Sequence, residues 1–206
     1  METVQLVIEF LGTFAFAISG IRWAASKKFD WFGGYVVGLA TAIGGGTIRD
    51  VMLGVIPFWM TNSVYMVCTA VALLTVIVFK KAIVKFTNTW FLFDTLGLAL
   101  FTVAGLQKTL YEGFPFWVAI IMGCITGAAG GVIRDVLINE VPLIFRKEIY
   151  AIACMFGGLA YYVCQELGLG VEMTAIISFT IVVVVRLMAV KFHISLPHLR
   201  DEESEI

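Results

Sequence analysis

The segment 44–50 has the sequence GGGTIRD, and 85 residues further along the segment 129–135 has the sequence AGGVIRD. Both contain the pattern GGxxRD, in which two glycines precede an Arg-Asp pair. The correspondence continues in both directions without a gap. Further identical positions are Leu11, Gly12, Phe16, Gly20, Gly38, Thr41, Val51 and Pro57 in the first copy, and Leu96, Gly97, Phe101, Gly105, Gly123, Thr126, Val136 and Pro142 in the second. The spacing predicts an internal duplication.

The sequence around both motifs is strongly apolar. The 206 residues are 60% hydrophobic, with a mean hydropathy of +0.96, whereas roughly half of a soluble domain is apolar. A helix needs about 20 residues to cross about 30 Å of hydrocarbon. Seven runs of this kind are predicted, at about residues 3–22, 31–53, 59–79, 90–110, 115–138, 148–168 and 172–192. The sequence therefore predicts an all-α membrane protein with seven transmembrane helices.

Each copy of the duplication contains three of these spans. Because three is odd, the second copy must enter the membrane from the opposite side, which gives an inverted repeat. We expect a single transmembrane domain over residues 1–206, with repeats at about 3–79 and 90–168, a seventh helix at about 172–192 and a polar tail at 193–206. Inverted repeats are typical of transport pathways. Transport across a membrane is the function that this architecture predicts.

The orientation is predicted from basic residues outside the apolar interiors. On one side only Lys108 is found. The other side carries Arg22, Lys27, Lys28, Lys80, Lys81, Lys85, Arg146, Lys147, Lys191 and Arg200. This bias predicts an outside amino terminus and a cytoplasmic carboxyl terminus. The same basic face is a candidate site for anionic lipid headgroups, although ordinary orientation signals have the same composition.

Glycine clusters interrupt the second and fifth spans. Consecutive glycines weaken a helix, so we expect kinks or openings that free backbone groups near a hydrated pathway. The alternative is close packing of helices, which small residues at four-residue spacing favour. We expect both effects at these positions. The predicted pathway glycines are Gly44, Gly45, Gly46, Gly130 and Gly131.

Charged residues follow the glycines in both spans. Arg49 and Asp50 follow the first cluster, and Arg134 and Asp135 follow the second. A charge at the bilayer centre costs about 2.5 to 3.5 kcal/mol on insertion scales, and ion paths are a usual reason for retaining one.

Depth along the spans suggests which acidic residues accompany these pairs. Glu9 is predicted beside Arg49 and Asp50, and Asp94 beside Arg134 and Asp135, which gives two polar layers. The alternative is a purely structural salt-bridge network. Arg186 lies near the end of the last span, where its long side chain is expected to snorkel to the interface.

Other functional classes have little support. A net charge of -1 and the lack of a basic patch argue against nucleic-acid binding. The four cysteines and two histidines show no metal-ligand spacing, and no catalytic Ser/His or Cys/His set lies at matching depth. We therefore expect no enzyme activity, metal or cofactor.

The paired GGxxRD segments on the second and fifth of seven spans resemble those of the prokaryotic trimeric intracellular cation (TRIC) channels. The resemblance covers nearly the whole chain, including the unpaired last helix. It implies a homotrimer in a bacterial or archaeal plasma membrane, with one pore in each protomer around the second and fifth helices. It also implies that the permeant species are monovalent cations, chiefly potassium.

The same sequence family has been described as putative glycine transporters. The alternative function is therefore a secondary transporter of a small amino acid such as glycine, because an inverted repeat suits a carrier as well as a channel. A channel has a continuous water path, whereas a carrier closes its site on one side at a time. No polar cluster beyond the Arg and Asp pairs is suited to an amino-acid zwitterion.

Overall fold

A computed structural model describes residues 2–79, 89–145 and 149–194, and every regular element in these ranges is a helix. The elements are α1 (Glu2–Ser26), α2 (Trp31–Met52), α3 (Phe58–Thr61), α4 (Val64–Val78), α5 (Thr89–Tyr111), α6 (Phe116–Leu137), a 3-10 helix (Leu143–Phe145), α7 (Ala151–Glu166) and α8 (Val171–Lys191). The predicted tail beyond Ile194, and Lys80, Lys81, Lys85, Arg146, Lys147 and Arg200 of the basic face, lie outside the described residues.

Within the described ranges, five helices are long and apolar enough to cross a membrane, namely α1, α2, α5, α6 and α8. Five of the seven predicted transmembrane helices therefore have a spanning length, whereas the third and the sixth are shorter in the structure. The third is divided into α3 and α4, because the side chain of Asn62 accepts a hydrogen bond from the amide of Val64 at 3.0 Å. Such a local bond competes with helical pairing. The sixth is shortened to the 16 residues of α7.

The helices α2 and α6 end in the same way, 85 residues apart. After α2, the amide of Gly54 donates to Val51 and that of Val55 donates to Asp50; after α6, the amides of Asn139 and Glu140 make the matching pair of bonds. Gly54 and Asn139 both have positive φ angles, of 73° and 56°. This bonding pattern is the Schellman motif, which turns the chain sharply away from the helix axis.

The core is formed by α1, α2, α5 and α6. The helices α1 and α5 pack together through the stacked rings of Phe16 and Phe101, whose centroids are 5.4 Å apart. Each ring covers a glycine of the opposite helix, Gly97 for Phe16 and Gly12 for Phe101. The helices α7 and α8 pack on each other and on this core. The four central helices thereby place the carboxyl ends of α2 and α6 against α1 and α5.

Candidate functional site

Two clusters of buried charges lie at the carboxyl ends of α2 and α6. The first cluster comprises Glu9, Arg49, Asp50 and Lys108. Arg49 Nε donates to Asp50 Oδ1 at 2.8 Å, and Arg49 Nη2 lies 3.8 Å from Glu9 Oε1. Lys108 Nζ lies 3.1 Å from the same Asp50 oxygen. The cluster has two charges of each sign, of which Glu9, Arg49 and Asp50 are buried and Lys108 is partly exposed.

The second cluster comprises Asp94, Arg134, Asp135 and Ser19. Arg134 Nε donates to Asp135 Oδ1 at 2.8 Å, and Arg134 Nη1 donates both to Ser19 Oγ at 2.8 Å and to Asp94 Oδ1. Arg134 and Asp94 are fully buried, and Asp135 is 2% exposed. The structure thus brings together the acidic and basic residues that the sequence assigned to each layer, and adds Lys108 and Ser19.

Each aspartate of the GGxxRD motif also holds the chain that follows its helix. Asp50 Oδ2 accepts a hydrogen bond from the amide of Phe58 at 2.8 Å, and Asp135 Oδ2 accepts one from the amide of Leu143 at 3.0 Å. These amides begin α3 and the 3-10 helix, where backbone donors lack helical partners. One carboxylate therefore binds an arginine and a helix amino terminus together, so the motif has a structural role whatever else it does.

Neither cluster resembles a metal centre. Among the residues that the structure describes, no group of three or more His, Cys, Asp or Glu side chains is arranged to hold a metal ion. In both clusters each aspartate is engaged by arginine, lysine or backbone donors, and Glu9 is engaged by the hydroxyl of Tyr65. The arrangement offers carboxylates that attract cations. Each carboxylate can bind another cation if it gives up its present partner.

The two clusters differ in the distance between the arginine and the acidic residue contributed by another helix. Arg134 contacts Asp94 directly, whereas Arg49 and Glu9 are separated by more than a hydrogen-bond length. Glu9 instead accepts a hydrogen bond from the hydroxyl of Tyr65 at 2.8 Å. The first cluster is therefore the looser of the two and also the one with a partly exposed member, since the Lys108 side chain is 17% exposed.

The sequence prediction missed Lys108 because it treated this residue only as an exception to the orientation bias. The depth of Lys108 in the membrane could have indicated its role. Lys108 lies in the last turn of α5, and α5 begins at the end of the bundle where α2 begins, so the last turns of both helices lie at the other end. That position places it at the level of Asp50. The lone basic residue on its side was thus a member of the charge network.

The prediction that Arg186 snorkels to the interface is wrong. Arg186 is fully buried, with its guanidinium 5.0 Å from the ring centre of Phe91 and 4.8 Å from that of Tyr150. Its Nη1 donates to the carbonyl of Ile149 at 3.4 Å. Aromatic faces attract a guanidinium, and together with a carbonyl at the entrance to α7 they provide a site inside the bundle.

The prediction that the helices kink or open at their glycines is wrong as regards opening. Both α2 and α6 remain helical throughout Gly44–Gly46 and Gly130–Gly131. The glycines instead allow close approach: a Cβ added at Gly45 would overlap the carbonyl oxygen of Thr126, and one at Gly130 would overlap that of Thr41. The packing alternative therefore accounts for the central glycines, because only a residue without a side chain fits this crossing.

The remaining predicted glycines lie beside the same crossing. A Cβ at Gly44 would lie 2.5 Å from Ile133, and one at Gly131 would lie 2.7 Å from the hydroxyl of Tyr150. Gly46 is covered by the ring of Phe58. All five glycines therefore sit between the two charge clusters, in contact with the opposite helix or with the segments that follow the Arg-Asp pairs.

Comparison with known proteins identifies relatives along nearly the whole chain. A family described as "Glycine transporter" matches residues 6–81 and 91–166, one match for each copy of the duplication. An inner membrane protein of Escherichia coli (strain K12) is 37% identical over 205 residues, covering 96% of this chain and 97% of its own length.

Two solved structures are similar over the same extent. One is the TRIC trimeric intracellular cation channel orthologue from Rhodobacter sphaeroides, with 30% identity and a TM-score of 0.88, covering 93% of this chain and all of the other. The second is a TRIC cation channel studied for its conductance, with 32% identity and a TM-score of 0.84, covering 96% and 98% of the two chains.

Proposed function

Because the chain belongs to the membrane-protein family described as "Glycine transporter" and shares its fold with prokaryotic TRIC channels, we propose that it is a cation channel with a pathway inside each protomer. The permeant ion is a monovalent cation, chiefly potassium. The main support for the proposal is that, in a fold shared with TRIC channels, a buried Arg-carboxylate cluster lies at each end of the α2–α6 pair. A charge network at both ends of one helix pair is suited to admitting and releasing ions.

The architecture that we propose is an inverted repeat of three crossings with an added seventh. Its support is the matching of contacts at positions 85 apart, as in the contact of Gly45 with Thr126 and of Gly130 with Thr41. The short helices α4 and α7 contain 15 and 16 residues. Each spans about 22 to 24 Å at 1.5 Å per residue, so α3 and the 3-10 helix complete these two crossings.

The pathway is proposed to run beside the tight α2–α6 contact, from one cluster to the other. In this state the carboxylates are held by arginines and amides, so conduction requires at least one ion pair to exchange its partner for a passing cation. The first cluster is the easier to open, because its Arg49–Glu9 contact is long and Lys108 is partly exposed. The second cluster, with its direct Arg134–Asp94 contact, is the stronger barrier.

The amino terminus is proposed to lie outside and the carboxyl terminus in the cytoplasm, in a bacterial inner membrane. Among the described basic residues, Lys27, Lys28 and Lys191 lie at the proposed cytoplasmic end, and Lys108 at the other end is engaged by Asp50. A homotrimer is proposed from the trimeric relative, and anionic lipid remains a proposed partner of the basic face.

The alternative function is secondary transport of a small amino acid, and the family description favours it. Purified protein in a planar bilayer, with potassium on both sides, separates the two functions. Unitary current steps would establish the channel. An absence of current together with counterflow of labelled glycine in liposomes would establish the carrier and overturn our proposal.

Lys108→Met tests whether the first cluster faces the ion path. The change removes one positive charge, and Asp50 keeps its bonds to Arg49 and to the Phe58 amide. We expect unitary cation conductance to rise by about twofold at low ionic strength, with a smaller effect as salt screens the charge.

Lys28→Met is the matched control, because Lys28 is an exposed lysine beyond the carboxyl end of α1. It should leave conductance within error of the unmodified protein. Equal effects of the two substitutions, or no effect of Lys108→Met at any salt concentration, would remove the first cluster from the pathway.

A further inference from the structure

A cavity of about 260 Å³ lies at the end of the bundle where α1 and α8 begin and where α5 and α7 end. Its polar lining consists of Gln5, Gln107, Tyr111, Tyr161, Gln165 and Glu172. None of these residues belongs to either charge cluster. Side chains from four helices converge here, so the cavity is formed by the tertiary fold and not by one local segment.

The lining has the chemistry of a site for a cation with hydrogen-bond donors. Its three amides and two phenols offer acceptor oxygens, and Glu172 is the single formally charged group among the lining residues. Among the residues that the structure describes, no lysine, arginine or histidine lines the cavity. An anion or a carboxylate would therefore meet a carboxylate and no fixed cation, whereas an ammonium group would be paired.

One member of the site is held in place before any ligand arrives. Tyr161 is 3% exposed, and together with Gln107 it lines the cavity between α7 and α5. A polar group positioned by burial in this way reduces the ordering cost of binding.

The charge around the cavity also favours cations. Glu112 and Glu166 are exposed at the ends of α5 and α7, close in sequence to the lining residues Tyr111 and Gln165. The ammonium of Lys108, one residue from Gln107, is engaged by Asp50. The carboxylates at this end therefore give a negative field that raises the local concentration of cations.

We propose that this cavity is a binding site for a small organic ammonium ion. Its volume is below the roughly 300 to 1,000 Å³ of pockets for drug-sized ligands, which limits the ligand to a small molecule. Leu110 and Val171 give one part of the lining an apolar character, suited to a short hydrocarbon body. The ammonium pairs with Glu172, and the amide and phenol oxygens accept its remaining N–H groups.

The proposal does not depend on the chain being a channel, and its test measures binding alone. Putrescine is titrated into the detergent-solubilised full-length protein and the heat is measured. 1,4-Butanediol replaces both ammonium groups by hydroxyls, and 4-aminobutyrate replaces one by a carboxylate. We expect saturable binding of putrescine, and binding weaker by about tenfold or more for the other two, because 1,4-butanediol has no charge to pair with Glu172 and the carboxylate of 4-aminobutyrate is repelled by it.

Glu172 and Glu166 are both exposed, but only Glu172 lines the cavity. Glu172→Gln keeps the size of the side chain and removes its charge, and Glu166→Gln makes the same change outside the cavity. We expect the first to weaken putrescine binding by about tenfold or more and the second by less than about threefold. Gln107→Leu, which removes one amide from the lining, should also weaken binding.

The proposal is overturned if putrescine gives no saturable heat, or if 1,4-butanediol binds equally well. It is likewise overturned if Glu172→Gln and Glu166→Gln weaken binding to the same extent, since the effect would then arise from the general surface field. The thermal unfolding midpoint of each variant, measured without putrescine, shows that both proteins are folded. If Glu172→Gln and Glu166→Gln unfold at the same temperature but only Glu172→Gln binds putrescine weakly, the ammonium binds in the cavity.

Discussion

Arg134→Met is expected to lower the free energy of unfolding by about 3 to 5 kcal/mol, the usual cost of removing one partner from a buried ion pair. The substitution leaves Asp94 and Asp135 charged and buried, with no cation to replace the three hydrogen bonds that Arg134 makes. The measurement is unfolding of the detergent-solubilised protein by increasing denaturant, supported by the yield of folded protein in the membrane fraction.

Lys27→Met is the control for this variant. It breaks the exposed ion pair between Lys27 Nζ and Glu140 Oε1, which are 2.6 Å apart, and is expected to cost about 0 to 1 kcal/mol because water solvates both charges. Both substitutions replace a cation by methionine, so burial is the variable that differs. Equal destabilisation by the two would show that the second cluster does not hold the bundle together.

A neutral form of the second cluster separates its structural role from its proposed role in conduction. Asp94→Leu and Asp135→Asn, combined with Arg134→Met, remove all three charges, and the asparagine can still accept the hydrogen bond from the Leu143 amide. Apolar replacement of a complete buried network is often neutral for stability. We expect the triple variant to recover most of the stability lost in Arg134→Met and to carry no potassium current. A stable triple variant with unchanged current would exclude the second cluster from the pathway.

We expect a large loss of stability, and a loss of current, from either Gly45→Ala or Gly130→Ala. Each new Cβ would overlap a backbone carbonyl of the opposite helix, and backbone cannot rotate away as a flexible side chain can. Overpacking typically costs about 1 to 3 kcal/mol, and we expect these two to lie at or above the top of that range. We also expect loss of current, because α2 and α6 must move apart where the two clusters are joined.

Gly34→Ala, on the same helix as Gly45, is the control. A Cβ there would meet only Leu73 Cδ1, at an ordinary contact distance of 4.0 Å. It is expected to change stability by less than about 1 kcal/mol, the size of the helix-propensity difference between the two residues. Thermal unfolding and planar-bilayer currents are measured on all three variants. If Gly45→Ala resembles Gly34→Ala in both, the tight crossing of α2 and α6 is not needed for function.

Much of the candidate site could be predicted from the sequence because duplication and hydropathy place residues by depth. Position along a span of known length gives the level of a side chain in the membrane, so Glu9 could be matched with Arg49, and Asp94 with Arg134. The ends of α2 and α6 could also be predicted, since the apolar runs differ from the observed bounds by at most one residue at each end.

Contacts that depend on rotation about the helix axis could not be predicted in this way. Depth places Lys108 near Asp50 but does not tell whether it faces the core, and depth alone suggested that Arg186 reaches the interface. The glycines posed the same difficulty. A helix that opens and a helix that packs closely both favour glycine, and only the position of the opposite backbone distinguishes them.

By itself, the sequence determined that the chain is a helical membrane protein with a duplicated GGxxRD motif and buried charges at two levels, because hydropathy and periodicity are local properties. The tertiary structure alone decided that α2 and α6 remain continuous, and that Asp50 and Asp135 each bind an arginine and a following amide. It also decided that Lys108 contacts Asp50 and that Arg186 is buried. These outcomes depend on how helices rotate and cross, and the free energy of a buried charge depends on the partners that this crossing supplies.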